Sequence, residues 1–350
     1  MSKTLLRGLK TTSAGLLGAV AVAGMLAGGM GKAMAEADEV RFAEQFGLLY
    51  LPLHVVVSQK MVEKHAKKMG LGDIKVTMHK FSGGAAVNQA LLSGSVDFSA
   101  GGVGPLLKIW DRTFGTDNEV RAMCTMSDMP LKLVTNDKRV KSIKDYLGLT
   151  DHKIATPSVK TSIQAVTLQM AAEKIFGAGE HFKLDNMVVS MPHPQAVAAV
   201  LSGGQPVKSH FATLPFSFQE LSSGKAHLVA SSYDILGGPH SIVALYNTKK
   251  WKEANPKLFL AVYEAYLEAH KWINADLKRA AGIYKTFTKS KLEIADLEKM
   301  VGDKNEISYD PAPRRTMQYA DFLYKIKDLK NKPKSWKDYY WENTHNLNGS

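Results

Sequence analysis

Short apolar runs alternating with stretches of helical periodicity constrain this chain more than any other feature. Strands separated by helices pair parallel, because a crossover of about a dozen residues or more returns the chain in its original direction. Between positions 40 and 125 the pattern predicts strands at 40–43, 74–79, 96–100 and 120–125. Helices fall between them at 53–69, 85–92 and 105–110, with Pro52 just inside the first, where a missing N–H costs nothing. A second series follows, with strands at 131–135, 154–155, 187–189, 207–211 and 228–230 and helices at 162–176 and 195–201. After a strand at 241–246 the chain turns helical, at 251–272, 275–287, 292–301 and 314–329. The tail from Lys330 is polar apart from Trp336, Tyr340 and Trp341, which marks a strap pinned by aromatics. No repeat of fixed period occurs, which sets solenoids aside.

The N-terminus has a different purpose. Lys3, Arg7 and Lys10 precede an apolar, Gly- and Ala-rich stretch at 14–30, and Ala33-Met34-Ala35 closes it. A cationic region, an apolar region and a small-x-small site in that order read as a secretory signal cleaved before Glu36. The stretch is too short and glycine-rich for a membrane anchor. No arginine pair marks the twin-arginine route, and no Cys follows to carry a lipid. The expected location is the periplasm. The full chain carries +12; without its first 35 residues it keeps 41 basic against 33 acidic side chains, a net +8. Those charges are interleaved with no basic run, and an exported chain does not meet nucleic acid, so none is expected as a partner. One cysteine, Cys124, excludes a disulfide framework and a Cys-based metal cluster, and its apolar surroundings make it a buried hydrophobe.

Small polar turns end the strands: Gln45-Phe46-Gly47, Ser82-Gly83-Gly84, Gly101-Gly102-Val103-Gly104 and the stretch from Thr156 to Ser162. In open α/β sheets ligands bind beyond the carboxyl ends of the strands. Glycine lets a ligand approach the backbone, and helix-start amides favour an anion. Any one of these turns is also what a tight connection requires; four together point to a cleft. The glycines lack the dinucleotide spacing, and no phosphate-loop, nucleophile-elbow or zinc-protease motif occurs.

The segments "YLPLHVVVSQKMVEKH" and "FSGGAAVNQALLSGSVDFSAGGVGPLL" resemble periplasmic solute-binding proteins of the nitrate, sulfonate and taurine ABC importers. The resemblance continues through "KIATPSVKTSIQAVTLQMAAEK", "MPHPQAVAAVLSGG" and "NPKLFLAVYEAYLEAHKWI". It implies an α/β chain with a two-lobed type II periplasmic binding protein fold, each lobe a mainly parallel sheet flanked by helices. Lobe I would comprise 36–128 and 241–350, lobe II 129–240. The implied function is capture of a small anionic solute (sulfonate, taurine, nitrate or organic acid) by hinge closure, without cofactor or metal. Delivery is to a membrane permease with a cytoplasmic ATPase, and a monomer is expected. Two departures fall where the solute would be read. Ser82-Gly83-Gly84 replaces a Ser-Gly-Pro turn, and the stretch 207–215 lacks the usual Asp-Ala.

The candidate ligand contacts are Ser82, Gly83 and Gly84, with Gly102 and Val103 on the facing wall. Ser158, Thr161 and Ser162 form a matching clamp, although helix capping explains the last two equally well. Phe46, Gly47 and Tyr50 would supply an apolar or stacking wall. Ser127 lies at the crossing between lobes. His193 and His210 are placed to donate to a carboxylate or sulfonate. With His240 they are scattered singly, without metal-ligand spacing. An aromatic or pyrimidine-type solute stacking on Phe46 or Tyr50 is the alternative. An enzyme related to the pyrimidine synthases of thiamine biosynthesis is disfavoured, because their Cys-rich segment is missing.

Overall fold

The computed structural model describes residues 35–204 and 206–350. The expected signal lies almost wholly outside the described residues. Glu36–Ser350 form one compact unit built on two five-stranded sheets. The first contains β1 (Glu39–Glu44), β2 (Lys75–Lys80), β3 (Phe98–Gly102), β4 (Val120–Asp128) and β10 (Ser241–Thr248). The second contains β5 (Lys132–Thr135), β6 (Lys153–Thr156), β7 (Val188–Ser190), β8 (Val207–Ala212) and β9 (His227–Ser231).

Their strand orders are β2-β1-β3-β10-β4 and β7-β6-β8-β5-β9, the same plan executed twice. In each sheet four strands run one way and one is reversed: β10 is antiparallel to β3 and β4, and β5 to β8 and β9. Each reversed strand is the first that the chain makes after crossing from the other sheet. A strand entered by a crossing need not follow the strand–helix–strand rule that keeps the others parallel.

Two expected helices are broken. The stretch 53–69 forms Leu51–Ser58 and Met61–Lys68, because Lys60 between them takes a left-handed conformation (φ 51°). The stretch 251–272 forms Lys249–Ala254 and Pro256–Ala275, the second opening on a proline that has no N–H to continue the first. Two short helices, Phe216–Ser222 and Ser232–Leu236, are additional to the sequence expectation.

The C-terminal helices Pro256–Ala275 and Leu277–Thr288 pack on Leu51–Ser58, and His270 of the first bonds the Met126 carbonyl on β4 at 3.3 Å. Helix Thr316–Lys325 touches both Val103–Thr113 and Ile163–Phe176, and so joins the two halves. The aromatic tail closes an edge. Tyr340 pairs with Ala122 on β4, the outer strand of its sheet, and the Trp341 amide donates to the Ala122 carbonyl at 2.8 Å. The Trp341 indole donates to Asn247 Oδ1 at 2.8 Å, and Trp336, Tyr340 and Trp341 are all buried. Covering the free strand edge in this way removes a template for unwanted pairing.

Candidate functional site

The carboxyl ends of six strands converge on one cavity between the sheets. From the first sheet, β1 leads to Gln45 and Phe46, β2 to Ser82 and Gly84, and β3 ends on Gly102. From the second, β6 leads to Pro157 and Ser162, β7 to His193, and β8 to Thr213. The reversed strands present their opposite ends here, through Leu131 before β5 and Ile242 and Val243 in β10. Leu49, Tyr50, Pro105, Ile163 and Gln164 complete the wall.

The cavity volume is about 30 Å³, far below the roughly 300–1,000 Å³ of pockets that hold organic ligands. The walls are in contact. A Cβ on Gly83 would lie 2.4 Å from the Pro157 carbonyl oxygen, and one on Gly102 would lie 3.1 Å from the Ile163 side chain. One on Gly104 would meet the Thr161 carbonyl at 3.2 Å. At a fourth point the Leu48 amide donates to the Leu214 carbonyl at 2.9 Å. Gly47 beside it has φ +126°, a conformation open to glycine, with the Leu214 carbonyl 3.0 Å from its missing Cβ.

Of the fourteen residues singled out from the sequence, the structure places Phe46, Tyr50, Ser82, Gly84, Gly102, Ser162 and His193 on the cavity wall. The other seven lie off it. Gly47 and Gly83 shape contacts between the halves rather than the void. Val103 is fully buried at the start of its helix. Ser127 is spent on the Leu49 carbonyl at 3.3 Å. Ser158 faces Gly83, and the Thr161 carbonyl faces Gly104. His210 sits behind His193, its Nε2 2.6 Å from His193 Nδ1.

Ser162 is on the wall but its hydroxyl is committed locally. It donates to the Ser158 carbonyl at 2.7 Å and accepts from the Ala165 amide at 3.2 Å as a helix cap. Three polar wall residues were not singled out from the sequence. Gln45 precedes the aromatic turn and Gln164 lies in the first turn of the capped helix, so both sat beside a recognised signal. Thr213 falls in the stretch where the resemblance breaks down, and its buried Oγ1 has no hydrogen-bond partner among the described residues.

The electrostatics are simple. No Lys, Arg, Asp or Glu is among the described wall residues. Lys80, behind the Phe46 ring at 5.4 Å, is paired to Glu44 at 3.0 Å. The wall therefore offers hydroxyls, amides and one imidazole against an apolar surround. Burial pushes His193 well below its ordinary value, helped by His210, so its ring is neutral. Among the described residues no group of three His, Cys, Asp or Glu side chains converges to hold a metal ion.

A family model described as the NMT1-like family matches residues 35–286, well over half of the sequence. The chain belongs to that family. No match was found among curated proteins by sequence. Among solved structures, the chain is similar to the alkanesulfonate-binding protein SsuA from Xanthomonas axonopodis pv. citri, bound to MOPS. That match has a TM-score of 0.66 and 18% identity, covering 85% of this chain and 96% of that one. The periplasmic nitrate-binding protein NrtA from Synechocystis PCC 6803 matches with a TM-score of 0.66 and 16% identity over 84% and 83%. The periplasmic aliphatic sulphonate binding protein SsuA from Escherichia coli matches with a TM-score of 0.63 and 17% identity over 88% and 93%. At these identities the matches establish the fold: this NMT1-like chain has the two-lobed α/β architecture of periplasmic binding proteins that the family resemblance implied. No described helix is long and apolar enough to cross a membrane.

Proposed function

We propose that this NMT1-like protein is the solute-binding component of an ABC importer. In this reading it is exported to the periplasm as a monomer. It captures a small organic anion, a carboxylate or sulfonate with an apolar body, and passes it to a membrane permease driven by a cytoplasmic ATPase. The observation that carries the reading is the wall itself. Neutral donors from Gln45, Tyr50, Ser82, Gln164, His193 and Thr213 face a mainly apolar surround with no fixed charge. Such a wall suits an acceptor-rich head group on a hydrocarbon body better than a cation, which would need a carboxylate. The contact between the two halves fits a closed cleft, in which case a ligand of several heavy atoms enters when they separate at the crossings near Asp128 and Ser241.

Native mass spectrometry of protein purified from its own cells should show a bound acid. A thermal-shift panel of taurine, ethanesulfonate, nitrate and benzoate should raise the melting temperature with at least one member. Ligand at about 100 times its dissociation constant adds about 2.7 kcal/mol. A panel without any shift or any compaction in solution scattering refutes the reading.

Phe46 favours a second reading within the same class. Its ring lies on the wall with Lys80 behind it, a stacking surface for an aromatic or pyrimidine-type solute. A copurifying ligand that absorbs in the ultraviolet supports that version; a transparent one supports an aliphatic acid.

A further inference from the structure

Behind the cleft runs a row of three buried titratable side chains from three separate elements. His193 opens helix His193–Ser202, His210 lies on β8, and Glu220 lies on helix Phe216–Ser222. Their exposures are 5%, 0% and 0%. His193 Nδ1 is 2.6 Å from His210 Nε2, and His210 Nδ1 is 2.8 Å from Glu220 Oε1. His193 Nε2 is the cavity end of the row, hydrogen-bonded to the Gln164 side-chain amide at 3.4 Å. Phe216 stacks on the His193 ring at 5.1 Å and 14° and fixes its plane.

A neutral imidazole has one N–H and one bare nitrogen, so a row of neutral rings must point all its hydrogens the same way. If Glu220 is a carboxylate, it accepts from His210 Nδ1–H, His210 Nε2 accepts from His193 Nδ1–H, and the cavity meets a bare His193 Nε2. If Glu220 is a carboxylic acid, it donates to His210 Nδ1, and His210 Nε2–H donates to His193 Nδ1. The cavity then meets His193 Nε2–H. One proton on Glu220 thus turns the cleft end of the row from acceptor to donor, with both rings neutral in either state. The Gln164 amide can face either state by turning over its oxygen and nitrogen.

Taking the anion-binding reading as its basis, we propose that Glu220 and His210 are positioning residues that select the ligand's charge. The anion takes a hydrogen bond from His193 Nε2–H, and its capture requires the proton held on Glu220.

Two further observations agree. Glu220 Oε2 is buried with no hydrogen-bond partner among the described residues, which a neutral acid tolerates far better than a carboxylate. Burial pushes Glu220 up to about 9 and His210 down to about 3, so near neutrality the acid keeps the proton and the rings stay uncharged. Among the described residues, the charged groups on the neighbouring elements are engaged elsewhere. Lys132 on β5 pairs with Glu306, Lys208 on β8 pairs with Asp151, and Lys153 on β6 donates to the Asn186 carbonyl. His227 on β9 bonds the Val140 carbonyl, and Lys225, after helix Phe216–Ser222, reaches the Leu201 carbonyl.

The test is histidine nitrogen NMR on the whole mature protein from pH 6 to pH 10, alongside titration with benzoate and ethanesulfonate. At pH 6 both His193 and His210 should carry their hydrogen on Nε2. Both should switch to Nδ1 in one shared transition on the alkaline side, and Glu220→Gln should abolish that transition while both rings stay neutral. Affinity for whichever probe binds should be flat below the transition and fall about tenfold per pH unit above it; in the Glu220→Gln variant the fall should vanish. Rings that never change tautomer, or a switch retained in Glu220→Gln, overturn the proposal. A tautomer switch without a matching loss of affinity overturns the coupling alone. Failure of both anions to bind at pH 6 argues against the solute reading itself, and the coupling falls with it.

Discussion

Gly83→Ala isolates closure from folding. The residue has φ −172° and ψ 171°, extended backbone that alanine adopts freely, so the substitution adds no strain within its own lobe. What it adds is a methyl group between the halves. The new Cβ would lie 2.4 Å from both the Pro157 carbonyl oxygen and Ser158 Oγ, where ordinary contact begins near 3.4 Å. The serine can rotate; the carbonyl is backbone and already accepts from Ser190 Oγ at 3.1 Å. The faces must therefore part by about 1 Å, and overpacking of that size costs about 1–3 kcal/mol. Because the clash exists only in the closed form, the cost falls on ligand capture, weakening it by about 5- to 150-fold. Calorimetric titration with the anion that gives the largest thermal shift reads the affinity, and small-angle scattering reads the compaction. Gly72→Ala is the control, since no atom lies within 4 Å of its added Cβ. If Gly83→Ala binds as tightly as the parent and compacts to the same extent, the glycine is not a closure contact and the assignment of this conformation as the closed one is wrong.

Other expectations concern the scaffold. Trp341→Ala removes a buried indole, its bond to Asn247 and two cations stacked on it, Arg121 and Lys252, and should cost about 3–5 kcal/mol in chemical denaturation. Cys124 is fully buried, and burial pushes its thiol up, so it should resist a thiol reagent until the chain unfolds. Burial raises Asp128, at the crossing from β4, to about 6, against the lowering pull of Ser241 and Arg314. The folded chain then holds a proton that the unfolded chain releases. The stability this gives is full below pH ~4 and lost as pH rises through ~6, an effect of order 3 kcal/mol. Asp128→Asn should flatten the stability profile across that window; an unchanged slope would place the titration elsewhere.

The strand positions were legible because apolar runs and glycine turns are local signals. Strand direction was not: β5 and β10 have the same apolar character as their neighbours, and what reverses them is the crossing each one follows. The break at Lys60 was equally hidden, since a lysine in a left-handed conformation leaves no mark in composition. The glycine turns were found for a partly different reason from the one the structure shows. Gly84 and Gly102 do border the cavity, but Gly83, Gly102 and Gly104 also meet the opposite half, a relationship between residues 57 to 75 positions apart that no local spacing expresses. The histidine row was half visible. His193 and His210 each stood out singly, while Glu220 lies in a seven-residue helix too short for periodicity to detect.

A wall without fixed charge has a consequence for how such a cleft releases what it captures. A lysine or arginine drawn into a closing cavity must shed water, and the cost is recovered only through a tight ion pair that then resists opening. Neutral donors lose less on closure and hold an anion through several modest bonds. Selectivity in such a site depends on the direction of those bonds rather than on charge. Most of the donors here can reverse by turning a hydroxyl or an amide, and so can serve a donor-bearing ligand as well as an anion. His193 is the exception, because reversing it means reversing the row behind it and removing the proton from Glu220. That proton lies three residues deep in the second lobe, away from the ligand. It therefore sets the sign of the head group the cleft accepts without placing a charge in the cleft.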